Sequence, residues 1–417
     1  MTFSKTFKYV ISGAAFAAAL AVSAAGAGTL VINSDTSDPA PKAAWEEIVA
    51  KFNKENPGIE AKLNVYDHES YKKSIRNWLT SASPDVVFWY VGTRMEQFTK
   101  PGLLEDVSDI WDKRMSDNLG AVAKGLVTDG DKQYGVPYTY YNWGVYYRKD
   151  LFEKAGVKAP PKTWTEFVDA CKKIKASGVE PIVIGSKDLW PTAGWFDYID
   201  MRLNGLPFHM DLMHGKVSYE DPKVKGVMDK WGELMKNGCF VKNHASTSWQ
   251  ESQAVLFQGK ASMMLIGNFI SPNFPKEIEP SMEFMRFPEI TPGMKAYEDA
   301  PMDSIHIPKN AKNKEDAKKF LKYVMTAEVQ EKINKALGQV PINTKADLKN
   351  ERFLKTGAEL LGKADGLAQF FDRDTDEALA TLAMKGFQEF MINPDRQAAI
   401  LTKIEAERKR IYGEIKK

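Results

Sequence analysis

The chain is expected to fold as an α/β protein whose parallel sheet is wound with helices. Two observations predict this. Short apolar runs of strand length alternate with amphipathic helical runs through the first part of the chain, and the chain is long enough for two sizeable cores. Leu30-Val31-Ile32 reads as a first, buried strand. Trp45, Ile48, Val49 and Phe52 then recur on one helical face, and Asn56-Pro57-Gly58 stops that helix. Ile59, Ala61, Leu63 and Val65 alternate as a second strand. Tyr71, Ile75, Trp78 and Leu79 mark the inward face of a second helix, and Pro84-Asp85 leads into the strand Val86-Val87-Phe88. This βαβαβ order implies parallel strands with right-handed crossovers. In such sheets ligands bind beyond the carboxyl ends of the strands. Those ends offer Asp35, Asp67, His68, Trp89 and Tyr90 as candidate binding residues.

The first residues read as an export signal. Lys5 and Lys8 precede an apolar run over residues 10–22, and small residues follow up to Ala27. The apolar run is too short for a permanent membrane span. Cleavage after Ala25 or Ala27 fits, and Ala25-Gly26-Ala27 favours the latter, so residues 1–27 are expected to be removed. No cysteine stands at that site, so a soluble periplasmic protein is expected rather than a lipoprotein.

The full chain carries 57 basic and 55 acidic residues. Loss of Lys5 and Lys8 leaves 55 of each, which gives no reason to expect nucleic acid or an anionic membrane surface as partner. Cys171 lies on the apolar helical face of Phe167, Ala170 and Ile174, which favours a buried thiol, although a bond to Cys239 also fits.

The middle of the chain is dense in aromatic residues: Tyr138, Tyr140, Tyr141, Trp143, Tyr146 and Tyr147. The tandem tyrosines could ligate ferric iron, but adjacent residues of an extended chain face opposite ways, so no metal is expected. Thr163 and Glu166 form a capping box, and Ile182-Val183-Ile184 reads as a strand. Near Asn313, expected as an N-cap, a helix turns Ala317, Phe320, Leu321 and Val324 inward. The segment from Asp376 onward is expected to be helical.

Catalytic and cofactor motifs are absent: there is no phosphate loop, no H-E-x-x-H, no G-x-S-x-G and no cysteine–histidine cluster of zinc spacing. No enzyme activity and no cofactor are therefore expected, although a glycosidase needs only two carboxylates and leaves no such trace. Aromatic residues paired with polar ones point to binding instead. Trp190, Trp195 with Asp197, Trp249 and Phe269 offer rings for the C–H faces of a sugar and planar groups for its hydroxyls. Tyr140 and Asp303 join this candidate set.

Several segments in order resemble the family 1 extracellular solute-binding proteins, the group that includes maltose-binding protein. They are Pro84-Asp85-Val86-Val87, Lys100-Pro101-Gly102-Leu103-Leu104, Gln133-Tyr134-Gly135-Val136-Pro137, Tyr146-Tyr147-Arg148-Lys149-Asp150-Leu151-Phe152, Phe257-Gln258-Gly259-Lys260-Ala261-Ser262-Met263, and the helix after Asn310. The resemblance implies the type II periplasmic binding protein fold, two α/β lobes joined by a multi-crossing hinge with a ligand cleft between them. Lobe 1 would comprise residues 28–137 and 302–345, and lobe 2 residues 138–301 and 346–417. It further implies a carbohydrate ligand, a mono- or short oligosaccharide or a glycoside, delivered by a monomer to the permease subunits of an ABC transporter in the inner membrane. A polyol phosphate or polyamine remains an alternative ligand. Relatives line the site just after Gly267, here Asn268-Phe269, and the segment Phe371-Asp372-Arg373-Asp374-Thr375 would bring Asp372 and Arg373 to the cleft unless it only opens a helix with Asp374 as cap.

Overall fold

The computed structural model describes residues 28–81, 84–347 and 351–415. The expected signal segment, residues 1–27, lies outside the described residues. The N-terminal part forms β1 (Leu30–Ser34), α1 (Pro39–Glu55), β2 (Ala61–Val65), α2 (His68–Thr80) and β3 (Val86–Tyr90). β1 pairs in parallel with both β2 and β3. The apolar faces read from the sequence are the buried ones: Trp45, Ile48, Val49 and Phe52 on α1, and Tyr71, Ile75 and Leu79 on α2. Trp78 is only half-buried.

Three later strands complete this sheet, in the order Val340–Pro341, Gly135–Tyr140, Met302–His306, β3, β1, β2. Met302–His306 runs antiparallel to both its neighbours. Around this sheet lies one hydrophobic core, drawn from Leu30 to Tyr138 and from Met302 to Ile342. A second core runs from Tyr141 to Phe287 and from Phe353 to Ile404. It surrounds a four-stranded sheet in the order Met282–Met285, Trp143–Arg148, Ala261–Gly267, Glu180–Ile182. The body around each core is a lobe, and the chain passes between them three times, near residues 140, 300 and 345.

Asp85 anchors lobe 1. Its buried carboxylate accepts hydrogen bonds from the backbone N–H of Val31 (2.9 Å), Lys312 (2.9 Å) and Asn313 (2.8 Å), and from the Asn313 amide (3.0 Å). A buried charge needs such donors. Asn313 therefore does not cap the helix Lys314–Val324 with its side chain, which is spent on Asp85 and the Thr29 carbonyl. The helix still buries Ala317, Phe320, Leu321 and Val324.

In lobe 2, Thr163 and Glu166 make the capping box of helix Trp164–Ala176. Cys171 and Cys239 are buried free thiols. The helix Pro191–Asn204 overturns one reading of the sequence. All its residues from Pro191 to Arg202 are buried, so Trp195 and Asp197 do not reach a ligand cleft. Trp195 packs edge-on against Phe240, ring centroids 4.9 Å apart. Asp197 accepts a hydrogen bond from the Phe371 N–H at 2.9 Å. The helix Glu377–Ile392 is capped by Asp376, which accepts from the N–H groups of Ala378 and Leu379, and not by Asp374, which is buried.

Two predictions follow from this packing. Trp195→Ala removes a fully enclosed ring and is expected to cost about 3–5 kcal/mol of stability, read as a lower unfolding midpoint, while ligand affinity of the folded protein stays unchanged. A large affinity loss with normal stability would place Trp195 in the site after all. His306 is the second case. It is buried, its Nδ1–H donates to the Tyr134 carbonyl at 2.8 Å, and its Nε2 accepts from the Ser304 hydroxyl at 2.6 Å. Burial pushes its pKa down to about 4 from 6.5. Below pH 6.5 the unfolded chain binds a proton that the folded chain refuses, so this group's contribution to stability is present at pH 7 and lost as pH falls toward 4. The stability gap between the wild type and His306→Asn should shrink by about 2 kcal/mol between pH 7 and pH 5. Denaturant titrations of both proteins at the two pH values check this, and a gap that widens refutes it.

Candidate functional site

The strand ends of lobe 1 and a wall of rings in lobe 2 enclose a cavity of about 140 Å³. On the lobe 1 side, Asp35 directly follows β1, His68 opens α2 and Tyr90 ends β3. The parallel arrangement sets these three ends side by side, and they form a connected chain. His68 Nδ1 lies 3.0 Å from the Asp35 carboxylate, and its Nε2 lies 3.4 Å from the Tyr90 hydroxyl. Burial alone would lower the His68 pKa, but the hydrogen bond and charge of Asp35 outweigh it, and the imidazole is raised. Asp38 also borders the cavity, its carboxyl pushed up by burial and partly held down by His68.

Asp303 stands opposite Tyr90 in the antiparallel ladder. It receives Arg373 from lobe 2 at 2.8 Å. The Arg373 guanidinium lies 3.9 Å from the centre of the Tyr90 ring and 5.6 Å from that of Tyr141. Burial raises the Asp303 carboxyl, and Arg373 offsets part of that rise.

Lobe 2 supplies Trp143, Trp190, Trp249, Phe269 and Phe370. These rings touch one another in sequence. Trp143 stacks on Phe370 at 4.4 Å and meets Trp190 edge-on at 5.9 Å. Trp190 lies 6.1 Å from Trp249, which meets Phe269 edge-on at 5.3 Å. Offset and edge-on contacts of this kind fix ring orientation. Two backbone features bring the wall together. Gly185 lies so close to the Ser248 carbonyl that a Cβ there would stand 2.1 Å from it, so only glycine lets the loop before Trp190 meet the start of the Trp249 helix. Leu189 holds φ at 68°, a region that costs a branched residue energy, immediately before Trp190. The indole N–H groups of Trp143 and Trp190 are buried and, among the described residues, have no hydrogen-bond partner.

Nine of the residues singled out in the sequence border this cavity: Asp35, His68, Tyr90, Trp190, Trp249, Phe269, Asp303, Asp372 and Arg373. The others do not. Asp67 caps α2 by accepting from the Ser70 N–H, which lowers its carboxyl pKa. Trp89 faces away, donating its indole N–H to the Arg94 carbonyl at 3.0 Å and packing on Phe98. Tyr140 borders a separate groove, because the extended chain turns Tyr141 to the cavity instead. Asn268 is buried behind Phe269, and Trp195 and Asp197 lie in the lobe 2 core. Sequence reasoning missed Tyr141, Trp143 and Phe370 as lining residues, although the aromatic block and the segment before Arg373 carried the signal. Among the described residues no group of three or more histidines, cysteines or carboxylates is placed to hold a metal, and no helix is long and apolar enough to cross a membrane.

Residues 36–331 match the family model described as bacterial extracellular solute-binding protein. The chain is 26% identical over 307 residues to an uncharacterized ABC transporter extracellular-binding protein of Pyrococcus horikoshii, covering 72% of this chain and 68% of the relative. It is 26% identical over 304 residues to the multiple sugar-binding protein of Streptococcus mutans, covering 70% of each. Among solved structures, the bacterial solute receptor AcbH superposes with a TM-score of 0.87 at 31% identity, covering 93% of this chain and all of that one. Maltose-bound MalE3 of T. maritima shares the fold at a TM-score of 0.79 and 18% identity, covering 92% of this chain and 99% of the other. The chain belongs to the bacterial extracellular solute-binding proteins, non-enzymatic receptors of ABC importers with a two-lobed α/β fold.

Proposed function

We propose that the protein captures a single sugar ring in the periplasm and delivers it, as a monomer, to the permease subunits of an inner-membrane ABC importer. The observation that carries this reading is the pairing of a ring wall with carboxylates and a guanidinium around a cavity of about 140 Å³. Aromatic rings match the C–H faces of a pyranose, and Asp35, Asp38, Asp303 and Arg373 match its hydroxyls. Size argues for one ring. A water needs about 10–15 Å³ of such space, so the cavity accommodates on the order of ten heavy atoms, against about a dozen in a hexose and twice that in a disaccharide. AcbH, described as having an exclusive substrate preference for β-D-galactopyranose, supports the same size class.

We place the lobe boundaries at 28–137 with 302–345 and at 138–301 with 346–417. The two separate cores support this division except at its first boundary: the strand Gly135–Tyr140 lies in the lobe 1 sheet and Tyr138 packs in the lobe 1 core, which moves that crossing to about residue 140. Ligand binding would draw the lobes together, and it can do so only through contacts that differ between the open and closed forms. The closed form is then the one recognised by the permease.

A thermal-shift screen tests the ligand class, since a solute that binds only the native state raises its unfolding midpoint. Hexoses are expected to give the largest rise, above disaccharides, polyamines and polyol phosphates. Stabilisation by a polyamine or a polyol phosphate alone refutes the carbohydrate reading. With the best hexose, Trp190→Ala should weaken binding roughly tenfold to a hundredfold in calorimetric titration, the loss of about 1–3 kcal/mol for one aromatic face. Normal affinity in that variant would take Trp190 out of the site.

A further inference from the structure

The lobes also meet outside the cavity. Glu377 opens the helix Glu377–Ile392 of lobe 2, and its carboxylate reaches two arginines of lobe 1: Arg76 at 3.5 Å and Arg94 at 3.6 Å. Beside it, the Thr93 hydroxyl donates across the lobes to the Asp374 carbonyl at 3.4 Å. Glu377, Arg76 and Arg94 do not border the ligand cavity; Arg76, Thr93 and Glu377 border a separate groove between the lobes.

Both arginines are held in place by lobe 1 itself. The Arg76 guanidinium lies 5.2 Å from the Phe98 ring, and that of Arg94 lies 5.2 Å from the Trp89 ring. Trp89 and Phe98 in turn pack on each other at 5.3 Å. Two aromatic rings, tilted against each other, therefore hold two like charges on the lobe 1 side. Arg94 is 5% exposed and, among the described residues, its Nε has no hydrogen-bond partner. The ion pairs that the described residues give these arginines are both with Glu377. Separation of the lobes removes that carboxylate and leaves the two guanidinium groups side by side without it.

We infer that Glu377, Arg76 and Arg94 form a latch that sets how much of the protein is closed, and so sets ligand affinity without touching ligand. The inference rests on lobe closure accompanying binding. The apparent dissociation constant is the intrinsic one divided by the closed, competent fraction. A latch that stabilises the closed form lowers it, chiefly by slowing dissociation.

The test is a pair of labels, one on each lobe, whose separation is measured by fluorescence transfer in the empty protein, beside titration with the best hexose of the screen. Glu377→Gln should lower the closed fraction of the empty protein and weaken hexose affinity roughly three- to tenfold through a faster off-rate. Arg76→Gln should act in the same direction. High salt should move the wild type toward the open form and leave Glu377→Gln unmoved. The double exchange Glu377→Arg with Arg94→Glu should recover part of the closed fraction. Wild-type lobe separation in Glu377→Gln overturns the latch, whatever the affinity. A changed separation with no response to any sugar upholds the latch and refutes the carbohydrate reading instead.

Discussion

The position of the site depends on one reversal of chain direction. β1, β2 and β3 run parallel, and their carboxyl ends point toward the second lobe. Met302–His306 enters the same sheet beside β3 but antiparallel to it. Its first residues therefore stand where β3 ends, and Asp303 lies against Tyr90. A parallel strand at the same place would have carried Asp303 to the far edge of the sheet. The reversal follows from the route of the chain, which reaches this strand directly from lobe 2. There the strand Tyr297–Asp299 pairs in parallel with Gly366–Ala368. One crossing thus delivers Asp303 and the neighbouring strand delivers Arg373, and the 2.8 Å contact between them joins the lobes at the floor of the cavity.

Beneath that crossing lies a set of buried acids: Asp197, Asp200, Glu298, Asp299 and Asp374, with His209 and Arg202 among them. Burial raises the carboxyls of Asp197 and Asp299, the neighbouring acids raise them further, and Asp374 is pushed up to about 6. Such groups are costly inside a protein unless they hold something. Asp197 holds the Phe371 N–H, Asp374 holds the Gln369 N–H at 2.9 Å, and Gln369 accepts from the Met302 N–H at 3.0 Å. Arg202 reaches Glu298 at 2.9 Å. Asp197 and Asp374, together with the Gln369 amide, fix the two backbone segments that carry Asp303 and Arg373. Their carboxylates serve the site from behind it.

This explains which parts of the molecule could be read from the sequence. Elements with one buried face announce themselves by period, as α1, α2 and Lys314–Val324 do. Strand order then located Asp35, His68 and Tyr90 without any knowledge of side-chain packing. The helix Pro191–Asn204 has no solvent face, so no stripe distinguishes its inner residues, and Trp195 beside Asp197 looked like a binding pair. Asp67 failed for a different reason: a carboxylate at a strand end is also the residue type that caps the following helix, and the cap took it. Trp89 and Tyr140 failed because alternation along an extended chain decides which of two adjacent rings faces the cleft, and the phase of that alternation is set by pairing partners far away in sequence.

The cavity divides its chemistry between the lobes. Most of the charged and hydrogen-bonding groups, Asp35, Asp38, His68 and Asp303, belong to lobe 1, and most of the ring wall, Trp143, Trp190, Trp249 and Phe269, belongs to lobe 2. Either half alone makes a poor site. Rings without acceptors cover an apolar face and leave hydroxyls to water, while carboxylates in open solvent compete with water for every hydroxyl they bind. Only when the lobes meet are the carboxylates and the ring wall shielded together from water, where each hydrogen bond counts for more. In the proposed closure, a difference in affinity between the closed and open forms is what would allow a bound solute to shift the lobe equilibrium. Arg373 is the exception that fits the same logic: carried by lobe 2 and seated on Tyr90 and Asp303 of lobe 1, it is already where the two halves must agree.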